Sequence, residues 1–573
     1  MNDEQLERDL RELFRSDAPT SAPVSLRLHA AELPRRVRPL ARPRPYLTLV
    51  RELAVAAVAA AFIVALVLTV PRLGPEQGSA SPVAGTANPS VTQPTRSGSP
   101  SATATLPATA SGWSFRAAES PGSPTPVRGP DGTTYVATMP YGASGQGKVY
   151  ALDPQGAVKT GWPFAPKGVI AFGTPTIAPD GTIYVAGMTF GSSGSLLWAI
   201  DPSGQVKPGW PYEARAIVPS GQLLATADGG AVFVEALSSG AQQAVALTAE
   251  GTVREGWPVS LPGGWTCNDG GTCAALGSDG TWYGLVRNGG SADAEIIGIR
   301  PDGSAAPGWP VRITGGEGFV LTAGGAIYAW GYDTNGLVPP KGITAIVRTR
   351  FLLLGSDGQA MPGWPVTLNG PAGVPTIAAD GTLYTTTGAV GDAEKIHALG
   401  PDGRERAGWP YTLPTGIAAW PYAPSAGSPS RATSPSVGAD GRIIVPIFRP
   451  DNSGQEGLLA LTPAGEVGPS WPAWLPAGAS FSAVGGYEAG GNGLLVPAFG
   501  GQDGTIYLAV ASGSRAEILG FDTAGRLRPG WPRAVGDTPT RPVGLVLVPG
   551  IGLLVTAQTD GGSATLVALV PAR

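Results

Sequence analysis

The sequence predicts an all-β fold, a β-propeller of four-stranded blades, preceded by a single transmembrane helix. Three observations carry that prediction. The tripeptide Gly-Trp-Pro returns at Trp162, Trp210, Trp257, Trp309, Trp364, Trp409 and Trp531, with Ser470-Trp471-Pro472 as a variant and Gly112-Trp113-Ser114 as a weaker copy. From Trp162 onward, neighbouring copies lie between 45 residues (Trp364 to Trp409) and 62 residues (Trp409 to Trp471) apart, a period that belongs to propellers and arrays. The runs between them are apolar and joined by Asp-Gly turns. Such turns are a strong hairpin signal, because glycine accepts a positive φ at no steric cost. Finally, Leu53 to Val70 is a charge-free apolar run, about the length that spans a hydrocarbon core.

Taken in order, residues 1–50 are polar and read as a cytoplasmic segment. Asp3 to Arg15 places Leu6, Leu10, Leu13 and Phe14 on one face of a short amphipathic helix, suited to a cytoplasmic regulatory partner or to lying at a membrane surface. Residues 51–72 hold the expected transmembrane helix. Upstream stand Arg27, Arg35, Arg36, Arg38, Arg42, Arg44 and Arg51, against Arg72 alone close downstream. The positive-inside rule then sets the N-terminus in the cytoplasm and the remainder outside. A cleaved signal peptide would need a polar region of some fifty residues before its apolar core, which is too long. Residues 73–111 turn to Ser, Thr, Pro, Ala and Gly. They are expected to form a disordered stalk, because they offer too little apolar surface to bury.

Residues 112–573 are expected to be the extracytoplasmic propeller. Its clearest unit runs from the strand at Thr174–Ala178 through the Asp180-Gly181 turn to Thr182–Gly187, then from Leu197–Ile200 through Asp201-Pro202-Ser203-Gly204 to Val206–Tyr212. The same order returns at 375–410 and 435–472. Proline donates no backbone hydrogen bond, which places Gly-Trp-Pro on the outermost strand. Tryptophan there can pack on the neighbouring blade while its N–H reaches a carbonyl. Trp113, Trp162, Trp210, Trp257, Trp309, Trp364, Trp409, Trp471 and Trp531 are therefore read as structural repeat positions. The last segment offers three strands without a Gly-Trp-Pro, and Trp113 offers one outer strand without the others. Together they complete a blade from both ends, which avoids a free sheet edge. The motif count is nine blades, with eight as the alternative if one irregular unit is misread.

The Asp-Pro-x-Gly turn followed by the Gly-Trp-Pro strand resembles the pyrroloquinoline-quinone-type propeller repeat of quinoprotein-like proteins. The resemblance covers about residues 112–573 and implies fold. The quinoprotein dehydrogenases of that family use an adjacent cysteine pair against the quinone and a calcium held by carboxylates. Here Cys267 and Cys273 are separated by Asn-Asp-Gly-Gly-Thr, so that catalytic pattern is absent and no cofactor is expected. The layout of cytoplasmic helix, anchor and stalk is also similar to that of membrane-bound anti-sigma regulators.

Composition narrows the function further. A net charge of −4 with 14% charged residues gives no basic footprint for nucleic acid. His29 and His397 are the only histidines, which removes most triad and His-metal chemistries, and His397 reads as a packed strand residue. No Asp-x-Asp-x-Asp-Gly loop occurs, so Asp-Gly is hairpin chemistry and no metal is expected. Cys267 and Cys273 are expected to bridge locally outside the cytoplasm. The short hairpin turns belong to one face of a propeller; the connections between second and third strands, and between blades, belong to the other. Pro140–Lys148, Tyr332–Thr344, Thr412–Thr433 and Ala473–Gly493 are long and varied, and variable loops on a rigid scaffold are where binding concentrates. Trp420, Tyr422 and Trp474 are the candidate contacts on that face. The expected function is a membrane-anchored binding, sensing or scaffolding module for an extracytoplasmic protein or glycan. The alternative is a divergent quinone-dependent oxidoreductase or a glycan-active propeller enzyme.

Overall fold

A computed structural model describes residues 112–571 apart from connecting stretches, the longest being 266–273, 334–347, 423–430 and 481–498. The expected cytoplasmic helix, membrane span, stalk, Cys267, Cys273 and Trp420 lie outside the described residues, and of Tyr422 only the backbone is described. The described chain is all β. Eight repeat blades follow one another, each built around one Trp–Pro pair, and are numbered here 1 (Trp162) to 8 (Trp531). In each of the eight repeat blades the Trp–Pro peptide is cis. A further four-stranded sheet, the seam sheet, joins Trp113–Ala117 to Ala564–Pro571, Gly552–Thr559 and Thr540–Val548. Eight is thus the number of blades built from one continuous stretch of chain, and nine the number of tryptophan positions, the composite sheet included.

Blade 2 shows how local chemistry sets the register. Asp180 accepts the Thr182 N–H at 2.9 Å and the Thr182 hydroxyl at 2.8 Å, while Gly181 takes a φ of 86°. The hairpin so closed pairs Thr176 with Tyr184, and Ile183 then pairs with Ile200 across the second and third strands. Asp131, Asp279 and Asp380 repeat the same two bonds to Thr133, Thr281 and Thr382.

The second and third strands are buried along both faces, as in Ile183–Thr189 and Glu456–Leu461, because each blade is sandwiched between two others. The core is therefore a series of inter-blade layers. One layer joins Tyr184, Leu197 and Trp210 of blade 2 to Phe233, Val245 and Leu247 of blade 3. Leu553 and Val555 of the seam sheet pack with blade 8, and Leu554 packs with Val136 and Tyr150 of blade 1, so the layers run around a closed ring. Closure leaves no long free edge to pair with another chain.

Candidate functional site

The two faces of the ring are built differently, starting with the hairpin-turn face. The eight repeat tryptophans are 7 or 8% exposed. In blades 1 to 7 each indole donates its N–H to a turn carbonyl of the next blade, at 2.8–3.3 Å, from Trp162 to Pro202 through Trp471 to Thr523. The ring edge meets a tyrosine of its own blade in six cases, with centroids 5.0–5.6 Å apart, as in Tyr283–Trp309 and Tyr328–Trp364. In blades 1 to 6 the glycine before the tryptophan has two causes, whereas at Gly530 of blade 8 only the positive φ applies. Gly308 has a φ of 81°, and a Cβ there would fall inside the Asp357 carbonyl of the next blade. Blade 7 departs from this: Ser470 holds a φ of 74° without being glycine. Charged side chains on this face are absorbed locally. Arg254 grips Asp228 with two nitrogens, each at 2.6 Å, and Lys159 reaches Asp131 at 3.2 Å.

The long-loop face is rooted by a polar side chain where the second strand ends or the third begins. In blade 2, Ser195 Oγ accepts the Val218 N–H at 3.0 Å. In blade 3, Glu235 is fully buried, accepts the Arg215 N–H at 2.9 Å and takes the Gln243 amide on its other oxygen. In blade 4, Asp293 accepts the Gly315 N–H at 2.9 Å and pairs with Arg312. In blade 5, Thr349 accepts from Ala372 N–H and donates to Gly370 C=O, both at 3.0 Å. In blade 6, Glu394 accepts the Ala419 N–H at 2.5 Å, and in blade 7 Glu456 accepts from Ser480 Oγ at 2.9 Å. Each partner lies in the connection between blades, so every bond ties that connection to a strand end. A buried backbone N–H needs such a partner.

The environments of these carboxylates differ. The Gly315 N–H, with Arg312 beside it, holds Asp293 below the usual carboxylate range despite partial burial. Burial pushes Glu394 upward, and the Ala419 N–H offsets part of that. Sequence reasoning missed all six roots. Their signal was one polar residue at the edge of an apolar strand, as in Glu456 before Gly-Leu-Leu-Ala-Leu or Ser195 before Leu-Leu-Trp-Ala-Ile.

Of the aromatics expected on this face, Trp474 is half-buried under the Arg449 guanidinium, 4.4 Å from the ring centroid. Tyr422 lies in a two-residue strand, Pro421–Tyr422, paired with Arg431–Ala432 within the connection from blade 6 to blade 7. The structure does not bring these positions into one described cluster. His397 is buried inside blade 6, its Nδ1 bonded to Glu405 at 2.5 Å and its Nε2 to the Thr387 hydroxyl at 2.9 Å. Among the described residues no three His, Cys, Asp or Glu side chains gather as a metal site.

No family model matches the chain, and no curated protein matches it either. Among solved structures, the chain is similar to the hydrazine synthase of Kuenenia stuttgartiensis, at 15% identity and a TM-score of 0.33, over 49% of this chain and 77% of that one. It is similar to a streptogramin B lyase at 16% identity and a TM-score of 0.28, over 59% and 90%. It is also similar to a eukaryotic initiation factor at 12% identity and a TM-score of 0.39, over 72% and 87%. Similarity at this level says nothing of what this chain binds.

Proposed function

We propose that the chain is a single-pass, membrane-anchored, extracytoplasmic β-propeller whose long-loop face binds a protein or glycan, in a sensing or scaffolding role. The observation that carries this reading is the rooting of that face. In blades 2 to 7 the strand ends are tied to the inter-blade connections by side-chain bonds, so loops of different length and sequence leave from a fixed frame. Binding sites gain affinity when the groups that carry them are held in place before the ligand arrives. The hairpin-turn face spends its tryptophans and turn aspartates on contacts between blades and within turns, and its exposed apolar residues, Val158, Val206, Val253, Met361 and Leu527, stand one to a blade. The proposal includes the anchor at 51–72, the stalk at 73–111 and a local bridge between Cys267 and Cys273.

Two measurements on the full chain in cells test it. A phosphatase that works only outside the cytoplasm, fused after residue 573, should be active, and fused after residue 50 it should be silent; the reverse pattern removes the anchored reading. A photo-crosslinking residue placed at Arg449 or Ser480 should give discrete adducts, whereas the same residue at Ser203 or Ser356 on the opposite face should give none. Equal labelling from both faces would defeat the assignment of the binding face.

A further inference from the structure

The seam is held differently from the repeat blades at both of its ends. Trp113 lies over Gly156 of blade 1, as Trp162 lies over Gly204 of blade 2 and Trp409 over Gly465 of blade 7. The indoles of blades 1 to 7 all donate to a carbonyl of the turn they cover, but Trp113 Nε1 is buried without a hydrogen-bond partner among the described residues. That end of the seam strand carries packing and lacks the bond. From Trp113 to Ala117 the strand pairs with Leu569 to Thr565 of the C-terminal strand. At its far end the arrangement is the opposite. Glu119, two residues beyond the strand, meets Lys148 Nζ at 2.5 Å with one oxygen and accepts the Tyr150 hydroxyl at 2.9 Å with the other. Tyr150 also packs against Phe115 of the seam strand, centroid to centroid 5.1 Å, and Ala117 is buried in the same layer.

We propose that Glu119, Lys148 and Tyr150 form a latch that keeps the ring closed, and that opening of the seam starts from the Trp113 end. The Glu119 side chain is 12% exposed and Lys148 33%, so the pair is shielded from water and from salt more than a surface pair is. The ion pairs of Asp131, Asp180, Asp228 and Asp380 each stay within one blade. The Lys148–Glu119 pair instead fixes the corner where the chain leaves the seam sheet for blade 1. Burial, with Glu119 beside it, pushes the Tyr150 hydroxyl well above its ordinary range, so it remains a proton donor wherever the carboxylate is charged. Trp113 is the first residue of the seam strand in the chain, so, on the anchored reading proposed above, tension from the N-terminal side loads the strand at the end that lacks the indole bond.

Hydrogen exchange of the full chain, read by mass spectrometry, tests the latch. Glu119→Gln should speed exchange of 113–117 and 564–571 by about tenfold, the size expected from losing a charged hydrogen bond, and leave blades 3 to 6 unchanged. Tyr150→Phe should speed the same peptides less. A disulfide between Ser114→Cys and Ala568→Cys, which are register partners, should return the Glu119→Gln chain to wild-type exchange at the seam. Unchanged seam exchange in both single variants, or acceleration spread evenly over all blades, would overturn the latch. So would acceleration that persists at 113–117 once the strand is crosslinked.

Discussion

On the hairpin-turn face, seven indole N–H groups reach seven carbonyls, each one blade further on, and glycines let the backbones approach. On the long-loop face the same blades share a root position, filled by Ser195, Glu235, Asp293, Thr349, Glu394 and Glu456. There the residue type varies while a bond to an adjoining connection is kept. The first face repeats residues because one contact geometry must recur around the ring. The second repeats only a function, accepting a hydrogen bond from the connection, a backbone N–H in five blades and the Ser480 hydroxyl in blade 7, which serine, threonine, aspartate and glutamate can all perform. Identity is constrained where backbones touch, and free to change where a side chain mediates.

Glycine substitutions break this comparison most directly. Gly308→Ala on the hairpin-turn face adds left-handed strain and drives a Cβ into the Asp357 carbonyl. The expected loss is about 3 kcal/mol or more, from strain and overpacking together. Gly416 on the long-loop face has a φ of 80° and nothing within 4 Å of a built Cβ, so Gly416→Ala should cost only the strain, about 1 kcal/mol. Urea unfolding midpoints compare the two. Equal losses would mean that approach of the backbones contributes nothing.

The tryptophans give the next contrast. Trp364→Phe removes the 2.8 Å bond to Pro401 and part of a buried ring, which should cost about 2 kcal/mol. Trp474→Phe, half-buried, stacked under Arg449 and only partly packed against the core, should cost about 1 kcal/mol, most of it the cation–π contact. A larger loss at Trp474 would show that the long-loop face carries ring stability as well.

The same contrast explains what could be read in the sequence. The fold was legible because its signals are local. Asp-Gly-Thr closes a hairpin with bonds spanning two residues, as Asp180 does with Thr182, and Gly-Trp-Pro marks an outer strand by itself. The seam was legible because the two ends of the propeller segment each lacked what the other supplied. The roots were not, since Glu394 and Ala419 are 25 residues apart and Glu456 and Ser480 are 24 apart. Nothing near a lone glutamate in sequence announces a donor so far along the chain. The surroundings of Trp474 were not legible either, because only the structure places Arg449 over its ring.

Ser470 offers a smaller test on the hairpin-turn face. Its φ of 74° stands where blades 1 to 6 and blade 8 have glycine. Relief of left-handed strain should outweigh the added freedom of glycine in the unfolded chain, so Ser470→Gly should stabilise by about 1 kcal/mol or less. A lower unfolding midpoint would mean that the serine side chain holds blade 7 in some other way.

One carboxylate on each face, Asp228 and Glu394, should respond to acid with opposite sign. On the hairpin-turn face, the Arg254 guanidinium bonded to Asp228 lowers that carboxyl to about 2. A depressed carboxylate stabilises above its unfolded value, about 3.9, and that stability fades as pH falls from there through 2. The Asp228 side chain is 60% exposed, so solvent screening limits the contribution to about 0.5 kcal/mol. Asp228→Asn should therefore flatten the stability profile slightly between pH 4 and 2. On the long-loop face, burial raises Glu394, and the sign reverses. Its contribution is fully present below the unfolded glutamate value, about 4.3, and is lost as pH rises through the folded value. Glu394→Gln, which still accepts from Ala419, should lose that downward slope and compare best with wild type near neutral pH. Unfolding midpoints from pH 2 to 7 decide the matter. Parallel profiles for the two variants would mean that the root carboxylate is no more desolvated than a turn aspartate.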